Sequence, residues 1–161
     1  VFPVVLLPAT QVFVGFVVHF LLLVLVIVLL GFSGIVFGLN VLLLPFWMLC
    51  LLCLTLSVAL LVSATNVLIR DASAFVPSAI SLLFWITPVV WPPSQLPDAW
   101  LVIAYLNPAA IIIEGYRSTL LGTPPLLSPL GHFIFAVVML GFSAVSFFGF
   151  RRMRGRFADV L

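Results

Sequence analysis

The chain has 161 residues, of which 65% are hydrophobic and only 6% are charged, and its formal net charge is +2. A soluble domain carries roughly a quarter charged residues, so this composition excludes a protein that solvates its own surface in water. The mean hydropathy of +1.46 indicates that lipid is the solvent. Because lipid cannot hydrogen-bond an open backbone, the N–H and C=O groups must pair within helices, and we expect an all-α membrane protein.

Four apolar runs are long enough to cross a bilayer, whose hydrocarbon core of about 30 Å needs about 20 helical residues. They cover residues 11–31, 41–64, 73–91 and 129–150. The sequence therefore predicts four transmembrane helices.

The arginines predict the orientation, since the chain has no lysine. Four of them follow the last run: Arg151, Arg152, Arg154 and Arg156. Positive residues mark cytoplasmic loops, so the C-terminal end is expected in the cytoplasm. Four crossings then place the N-terminal end and the turn at Arg70 on the same side, and both ends of the chain are predicted to be cytoplasmic.

One histidine and two cysteines lie within the first two runs. A histidine inside the membrane is a functional candidate by default, but the predicted spans offer His19 no acidic partner, which favours a packing or hydrogen-bonded role. Cys50 and Cys53 lack the second ligand pair that a metal site of this spacing needs. We interpret them as small packing residues.

The Arg70-Asp71 pair lies between the second and third runs. The simpler interpretation is a charged cytoplasmic turn that keeps two helices apart. The functional interpretation is a docking surface for a cytoplasmic partner. From residue chemistry alone, the first is favoured.

A Pro-broken aromatic run, TPVVWPPSQLP, follows the third predicted span. The apolar segment after it, Trp100–Ile113, has about 14 residues, which suits a re-entrant segment better than a crossing. We predict an outer re-entrant hairpin of two short helices over residues 98–121. Asp98 would cap the first helix, and Asn107 would cap the second, with Pro108 at its first position.

On the second helix of this hairpin, Glu114 and Arg117 are three residues apart and share a face. They either neutralise each other at the interface or serve transport, because charges near membrane depth are costly. Gly122 and the Thr-Pro-Pro that follows are expected to end this helix.

No catalytic, cofactor-binding or metal-ligating set is recognisable in the sequence. Paired carboxylates on one helix face, a metal-ligand cluster and a nucleophile beside a base are all missing. A chain without lysine also has no G-x-x-x-x-G-K-[ST] phosphate loop. A membrane-embedded enzyme is therefore less well supported than a transport protein, and a purely structural membrane protein would not need the broken hairpin.

In order along the chain, three segments resemble the permease subunits of ABC exporters for polysaccharides and polyol phosphates, in the type-2 ABC permease family: VFPVVLLPATQ, SATNVLIRDASAFVPSAISLLFWITPVVWPPSQLP and LNPAAIIIEGYRSTLLG. That group exports O-antigen, capsule and teichoic-acid chains. The most specific matching positions are Arg70-Asp71, Pro88-Val89 with Pro92 to Pro97, Asn107-Pro108, and Glu114 with Arg117. The likeness covers nearly the whole chain.

The resemblance implies a six-span permease of which this chain is the C-terminal part, with an N-terminal interface helix and two spans before it. It implies a permease homodimer in a prokaryotic inner membrane, a separate ABC ATPase that uses ATP and Mg, and a polysaccharide or lipid-linked glycan as cargo. Membrane lipids are the other expected partners, and nucleic acid is not expected. A type-2 permease for a drug or lipo-oligosaccharide is the alternative.

The resemblance also assigns roles to residues. Arg70 and Asp71 correspond to a cytoplasmic loop near the ATPase, and residues 98–121 correspond to extracytoplasmic gate helices. Three aromatic residues are expected to line or flank the sugar path, with an interfacial aromatic belt as the alternative: Phe84, Trp85 and Trp91.

Overall fold

The computed structural model describes residues 6–68, 72–89, 106–125 and 127–153. Within these ranges the chain is helical and contains no strand. The helices are α1 (Leu6–Phe32), α2 (Leu44–Leu68), α3 (Ala72–Ile86), α4 (Pro108–Leu121) and α5 (Pro129–Met153), and a 3-10 helix at Leu39–Leu43 leads into α2. The predicted all-α membrane fold is confirmed.

Among the described residues, three helical segments are long and apolar enough to cross a membrane: Leu6–Phe32, Leu39–Asn66 and Pro129–Met153. They cover the predicted runs at 11–31, 41–64 and 129–150. Their surfaces expose many leucine, valine and phenylalanine side chains, which suits helices that face lipid.

The predicted third crossing at 73–91 is shorter in the structure. Helix α3 ends at Ile86 after 15 residues, or about 22 Å, which is less than the thickness of the bilayer core. Pro88 has no N–H to donate and disfavours helical backbone at Thr87, so the helix stops there. Thr87 to Val89 form a turn, in which the N–H of Val89 donates to the carbonyl of Thr87 at 2.7 Å. The rest of that prediction, residues 90 and 91, lies outside the described residues.

Helices α2 and α5 form the centre of the bundle and run in the same direction. The rings of Trp47 and Phe135 meet near the two N-terminal ends, with centroids 6.3 Å apart. Halfway along, the hydroxyl of Ser57 donates to that of Ser143 at 3.0 Å. Phe150 is buried among residues of α2 toward the C-terminal ends. These three contacts pair positions along α2 with positions along α5. The depth of another helix in the bundle follows from the residues of α2 and α5 that it contacts.

Helix α4 does not run the length of the bundle. Its N-cap residue Asn107 and its first residue Pro108 line a cavity with Leu54 from the middle of α2 and Phe142 from the middle of α5. Its last turn instead packs Leu120 against residues at the start of α2. Helix α4 therefore begins halfway along the bundle and runs antiparallel to α2.

The end of α3 lies at the same level as the start of α4, since Leu83 and Thr87 line the same cavity. Thr87 is 4% exposed and Pro88 below 2%. Non-helical backbone at membrane depth is tolerated only where protein or a water-filled cavity surrounds it, and this turn meets the condition. Two interrupted helices thus meet inside the bundle.

Candidate functional site

Asn107 connects the two interrupted helices. Its side-chain oxygen accepts a hydrogen bond from the N–H of Ala109 at 3.0 Å and so caps α4, while Pro108 occupies the first helical position. Its side-chain nitrogen donates to the hydroxyl of Thr87 at 2.9 Å. The cap predicted from the sequence is therefore present, and the same amide also binds the end of α3.

Arg117 reaches the same turn from farther along α4. One guanidinium nitrogen donates to the backbone carbonyl of Val89 at 2.5 Å. Carbonyls just beyond a helix C-terminus lack helical partners, and a cation there also interacts favourably with the helix dipole. Arg117 thus satisfies a backbone group that the break in α3 leaves open.

Glu114 balances the charge of Arg117 within α4. The carboxylate accepts a hydrogen bond from the second guanidinium nitrogen at 3.2 Å, and the side chains are only 14% and 24% exposed. Charged groups with so little exposure are stable only when paired, because burial of an isolated charge is costly. The pair and its link to Val89 make one charged network across the junction.

A second polar contact joins α4 to α1. The Nε2 atom of His19 lies 3.1 Å from the hydroxyl of Tyr116, and the two rings meet edge to face with centroids 5.6 Å apart. The hydrogen-bonded role predicted for His19 is confirmed, with a tyrosine as its partner.

Helix α4 packs tightly although it is short. Seven of its residues are buried: Ala110, Ile111, Ile112, Gly115, Ser118, Thr119 and Leu120. A Cβ atom at Gly115 would overlap the indole ring of Trp47, which is itself 2% exposed. The glycine is required here because it lets α4 approach α2 closely. At the other end of α4, Gly122 adopts φ 68° and ends the helix, as predicted.

Two cavities flank the junction. One of about 700 Å³ lies between α2, α3, α4 and α5, and its walls are apolar apart from Thr87 and Asn107. The other, of about 420 Å³, lies beside α1 and includes His19, Tyr116 and Arg117. Polar groups of the junction therefore line both cavities.

The structure brings Asn107, Pro108, Glu114 and Arg117 together on one short helix. The other polar residues predicted for a functional site, Arg70, Asp71 and Asp98, lie outside the described residues, as does Trp91.

Phe84 and Trp85 lie on α3 and are 43% and 71% exposed. Their rings contact each other edge to face at 5.6 Å. Within the described ranges, no hydrogen bond or ring contact joins either of them to α4.

The cysteines lie in the core between α2, α4 and α5. Cys50 belongs to a cluster with Trp47, Ile112 and Met139, and Cys53 packs against it. Both are free thiols, and their predicted packing role is confirmed. The described residues contain no group of three His, Cys, Asp or Glu side chains that could hold a metal ion.

Sequence reasoning missed several residues of the junction. Thr87 begins the proline-broken run, and its place before a proline inside an apolar stretch signals only a helix end, not a partner for Asn107. Tyr116 lies between Glu114 and Arg117, and no local pattern pairs it with His19, which is 97 positions away. Nothing local identifies Trp47 as the residue that faces Gly115.

An all-helical, multi-pass membrane protein with short helices that meet at a buried polar junction has an architecture found among membrane transporters. The family model described as ABC-2 type transporter matches residues 3–121, a range that includes the whole junction. The chain belongs to the ABC-2 type transporter family.

One curated relative is the O-antigen export system permease protein RfbA of Klebsiella pneumoniae, which is 27% identical over 107 residues. The match covers 66% of this chain and 40% of the relative, so the chain spans less than half the length of the protein it matches.

Proposed function

We propose that the chain is part of the transmembrane permease subunit of an ATP-driven exporter that moves a polysaccharide or lipid-linked glycan across the prokaryotic inner membrane. The observation that carries the proposal is the polar junction of α3 and α4 inside the bundle, in a chain of the ABC-2 type transporter family. The relative named for O-antigen export supports a glycan as cargo.

In this proposal a separate ABC ATPase dimer supplies the energy, with ATP and Mg bound by that partner and not by this chain. Two permease copies enclose the path, and the Arg70-Asp71 turn contacts the ATPase. The arginines in the last turn of α5 and beyond it in the sequence support a cytoplasmic position for that end. Helix α2 runs parallel to α5, so its N-terminal end and the C-terminal end of α4 then face the exterior.

In this proposal, helix α4 belongs to the extracytoplasmic gate and runs from the middle of the bundle toward the exterior. Because it enters the bundle without crossing it, it can change its tilt without moving a complete span. Asn107 and Arg117 hold it to the turn after α3, so a movement of α3 is transmitted to the gate. Phe84, Trp85 and Trp91 are proposed to flank the sugar path.

The test uses the full-length permease and its ATPase in proteoliposomes with a labelled glycan. Arg117→Glu should abolish ATP-dependent glycan export while the protein still inserts, because it removes the bond to Val89 and places two acids together. Arg151→Glu, on the exposed last turn of α5, is the matched control and should still export. Normal export by the Arg117 variant would contradict the gate assignment.

A second experiment tests the partner and the orientation. Arg70→Glu should weaken co-purification of the ATPase, and unchanged recovery would refute the docking role. A cysteine placed at Leu39 in a background without Cys50 and Cys53 should react with an impermeant maleimide from outside, and one at Arg152 only after permeabilisation. The reverse pattern would invert the topology.

The apolar cavity of about 700 Å³ favours one alternative cargo, a drug or lipo-oligosaccharide. If such a molecule stimulates ATP hydrolysis by the complex and glycans do not, the alternative is correct.

A further inference from the structure

The larger of the two cavities at the junction has an uncharged and mostly apolar lining. Its volume is about 700 Å³, and none of the described residues around it is Asp, Glu, Lys, Arg or His. Its two polar side chains already bond within the protein, since Asn107 donates to Thr87 and accepts from Ala109. Small-molecule sites usually orient their ligand through a few polar groups. A cavity whose described polar groups are already bonded suits a ligand that has no hydrogen-bonding groups of its own.

The lining divides into an exposed rim and a buried floor. The rim includes Leu83 of α3 and Ile134 and Val138 of α5, which are all more than half exposed. The floor is formed by Ile111 of α4 and Met139 of α5, which line the same cavity and are buried. The cavity therefore opens sideways, between α3 and α5, rather than toward an end of the bundle.

This opening lies halfway along the bundle, at the level of the junction. The middle of a membrane span is surrounded by hydrocarbon, because the apolar core of a bilayer is about 30 Å thick. The helix surfaces beside the opening expose leucine, isoleucine and valine side chains. The cavity is thus continuous with a lipid-facing surface, and hydrocarbon chains are the molecules that reach its rim.

The size of the cavity distinguishes a lipid chain from a protein partner. A helix about 10 Å wide fills about 80 Å³ for each ångström of its length. A volume of about 700 Å³ would hold about six helical residues, far fewer than the roughly 20 residues of a span. A transmembrane helix of a second copy therefore does not fit inside, whereas a single hydrocarbon chain is narrow enough to enter.

We infer that this cavity binds one acyl chain of a phospholipid from the surrounding bilayer, which enters between α3 and α5 and reaches the floor. The lining favours a bilayer phospholipid over the lipid of a glycan cargo, because no charged residue among those described could hold the phosphate or sugar of such a cargo. Thr87 and Asn107 line the same cavity, so the bound chain would cover their hydrogen bond and keep water from the junction. The inference goes beyond the proposed function, since it depends on the membrane position of the bundle and not on the cargo.

The test uses the full-length permease with its ATPase in nanodiscs of phosphatidylethanolamine. A small fraction of the lipid carries a photoreactive diazirine halfway along one acyl chain, and mass spectrometry maps the residues that it labels after illumination. Labelling should include Ile111 and Met139, which lipid on the outer surface of the helices cannot reach because both residues are buried. A second probe with the diazirine on its headgroup should leave these two residues unlabelled, since the cavity lies halfway along the bundle.

Two bulky residues on the rim should close the cavity. In the double variant Ile134→Phe with Val138→Phe, the added rings lie one helical turn apart at the opening, and labelling of the floor should be lost. The matched control is the double variant Val137→Phe with Leu140→Phe, at exposed positions of the same helix that do not line the cavity. Labelling of the floor should be unchanged in this control.

The inference fails if the acyl-chain probe leaves the floor unlabelled, if both probes label it equally, or if the rim variant is labelled there like the parent. It also fails if a diazirine-bearing lipid-linked glycan labels the floor and the phospholipid does not, because the occupant is then the lipid of the cargo. The comparison of the two phospholipid probes in the parent needs no variant, so it decides the question even if the rim variant does not insert.

Glycan export by the same preparation in proteoliposomes tests the proposed function separately. Export by a permease whose floor stays unlabelled refutes only the lipid site. A labelled floor in a permease that exports no glycan supports the lipid site and counts against the proposed function.

Discussion

The side-chain amide of Asn107 donates to the hydroxyl of Thr87 at 2.9 Å and thereby joins the N-cap residue of α4 to the residue that follows α3. The residues are 20 positions apart in sequence, and both lie halfway along the bundle. Because the same amide also caps α4, the stability of that helix and its attachment to α3 depend on one side chain.

The two roles of Asn107 can be separated by substitution. Asn107→Ala removes both bonds and should destabilise the protein by about 1–3 kcal/mol, the sum of a lost cap and a lost side-chain bond. Asn107→Ser keeps a good capping residue, but the serine side chain is too short to reach Thr87. The loss of stability should therefore be about half that of Asn107→Ala. Unfolding in mixed detergent micelles measures both values. The control is Asn40→Ala, at an exposed position. Asn66 does not serve this purpose, because its side chain has an interaction of its own. Equal losses for the Ala and Ser variants would contradict the bond to Thr87.

The Glu114–Arg117 pair should show strong coupling. Arg117→Ala should destabilise by about 1.5–3 kcal/mol, because Glu114 and the Val89 carbonyl lose a charged donor. Arg117→Lys should recover only part of this, since a single ammonium cannot reproduce the fork that contacts both groups. A double-mutant cycle with Glu114→Ala measures the coupling free energy. Additive losses would mean that the 3.2 Å contact contributes nothing.

Gly115 should be intolerant of even one added methyl group. Gly115→Ala would push α4 away from Trp47 and should destabilise by about 1–3 kcal/mol, as over-packing of a core does. Gly141→Ala on α5 is the matched control, because no atom outside the local helix backbone lies within 4 Å of its added Cβ; it should stabilise by about 0.5–1 kcal/mol through helix propensity. Thermal unfolding of the two variants should therefore shift in opposite directions. If the unfolding temperatures of both variants shift in the same direction, the Trp47 ring moves to accommodate the added methyl group.

Tyr116→Phe removes the hydroxyl that lies 3.1 Å from His19 and keeps the ring contact. The expected loss is about 0.5–1.5 kcal/mol, the net value of one intramolecular hydrogen bond. In a His19→Leu background the same substitution should have no further effect, and the cycle is measured by unfolding in detergent. Thr55→Val in that background is the control and should be additive. If Tyr116→Phe destabilises the His19→Leu background as much as it destabilises the parent, the hydroxyl has a different hydrogen-bond partner.

The local features of α4 were predictable because they depend on neighbours in sequence. Asn107 before Pro108 specifies an N-cap and a first helical residue, and Gly122 specifies the C-terminal stop, whatever surrounds them. The three long helices follow from apolar length alone. The early end of α3 was predictable in principle from Pro88, but the length of the apolar run to residue 91 favoured an uninterrupted span.

Sequence alone determined that this protein resides in lipid and is built from helices. It also paired Glu114 with Arg117, because they are three residues apart on a helix. Only the tertiary structure decided that α3 stops at the level where α4 begins, that Trp47 fills the space above Gly115, and that Tyr116 meets His19. Those contacts join residues 20, 68 and 97 positions apart, and their register is set by how the helices pack, which no local spacing encodes.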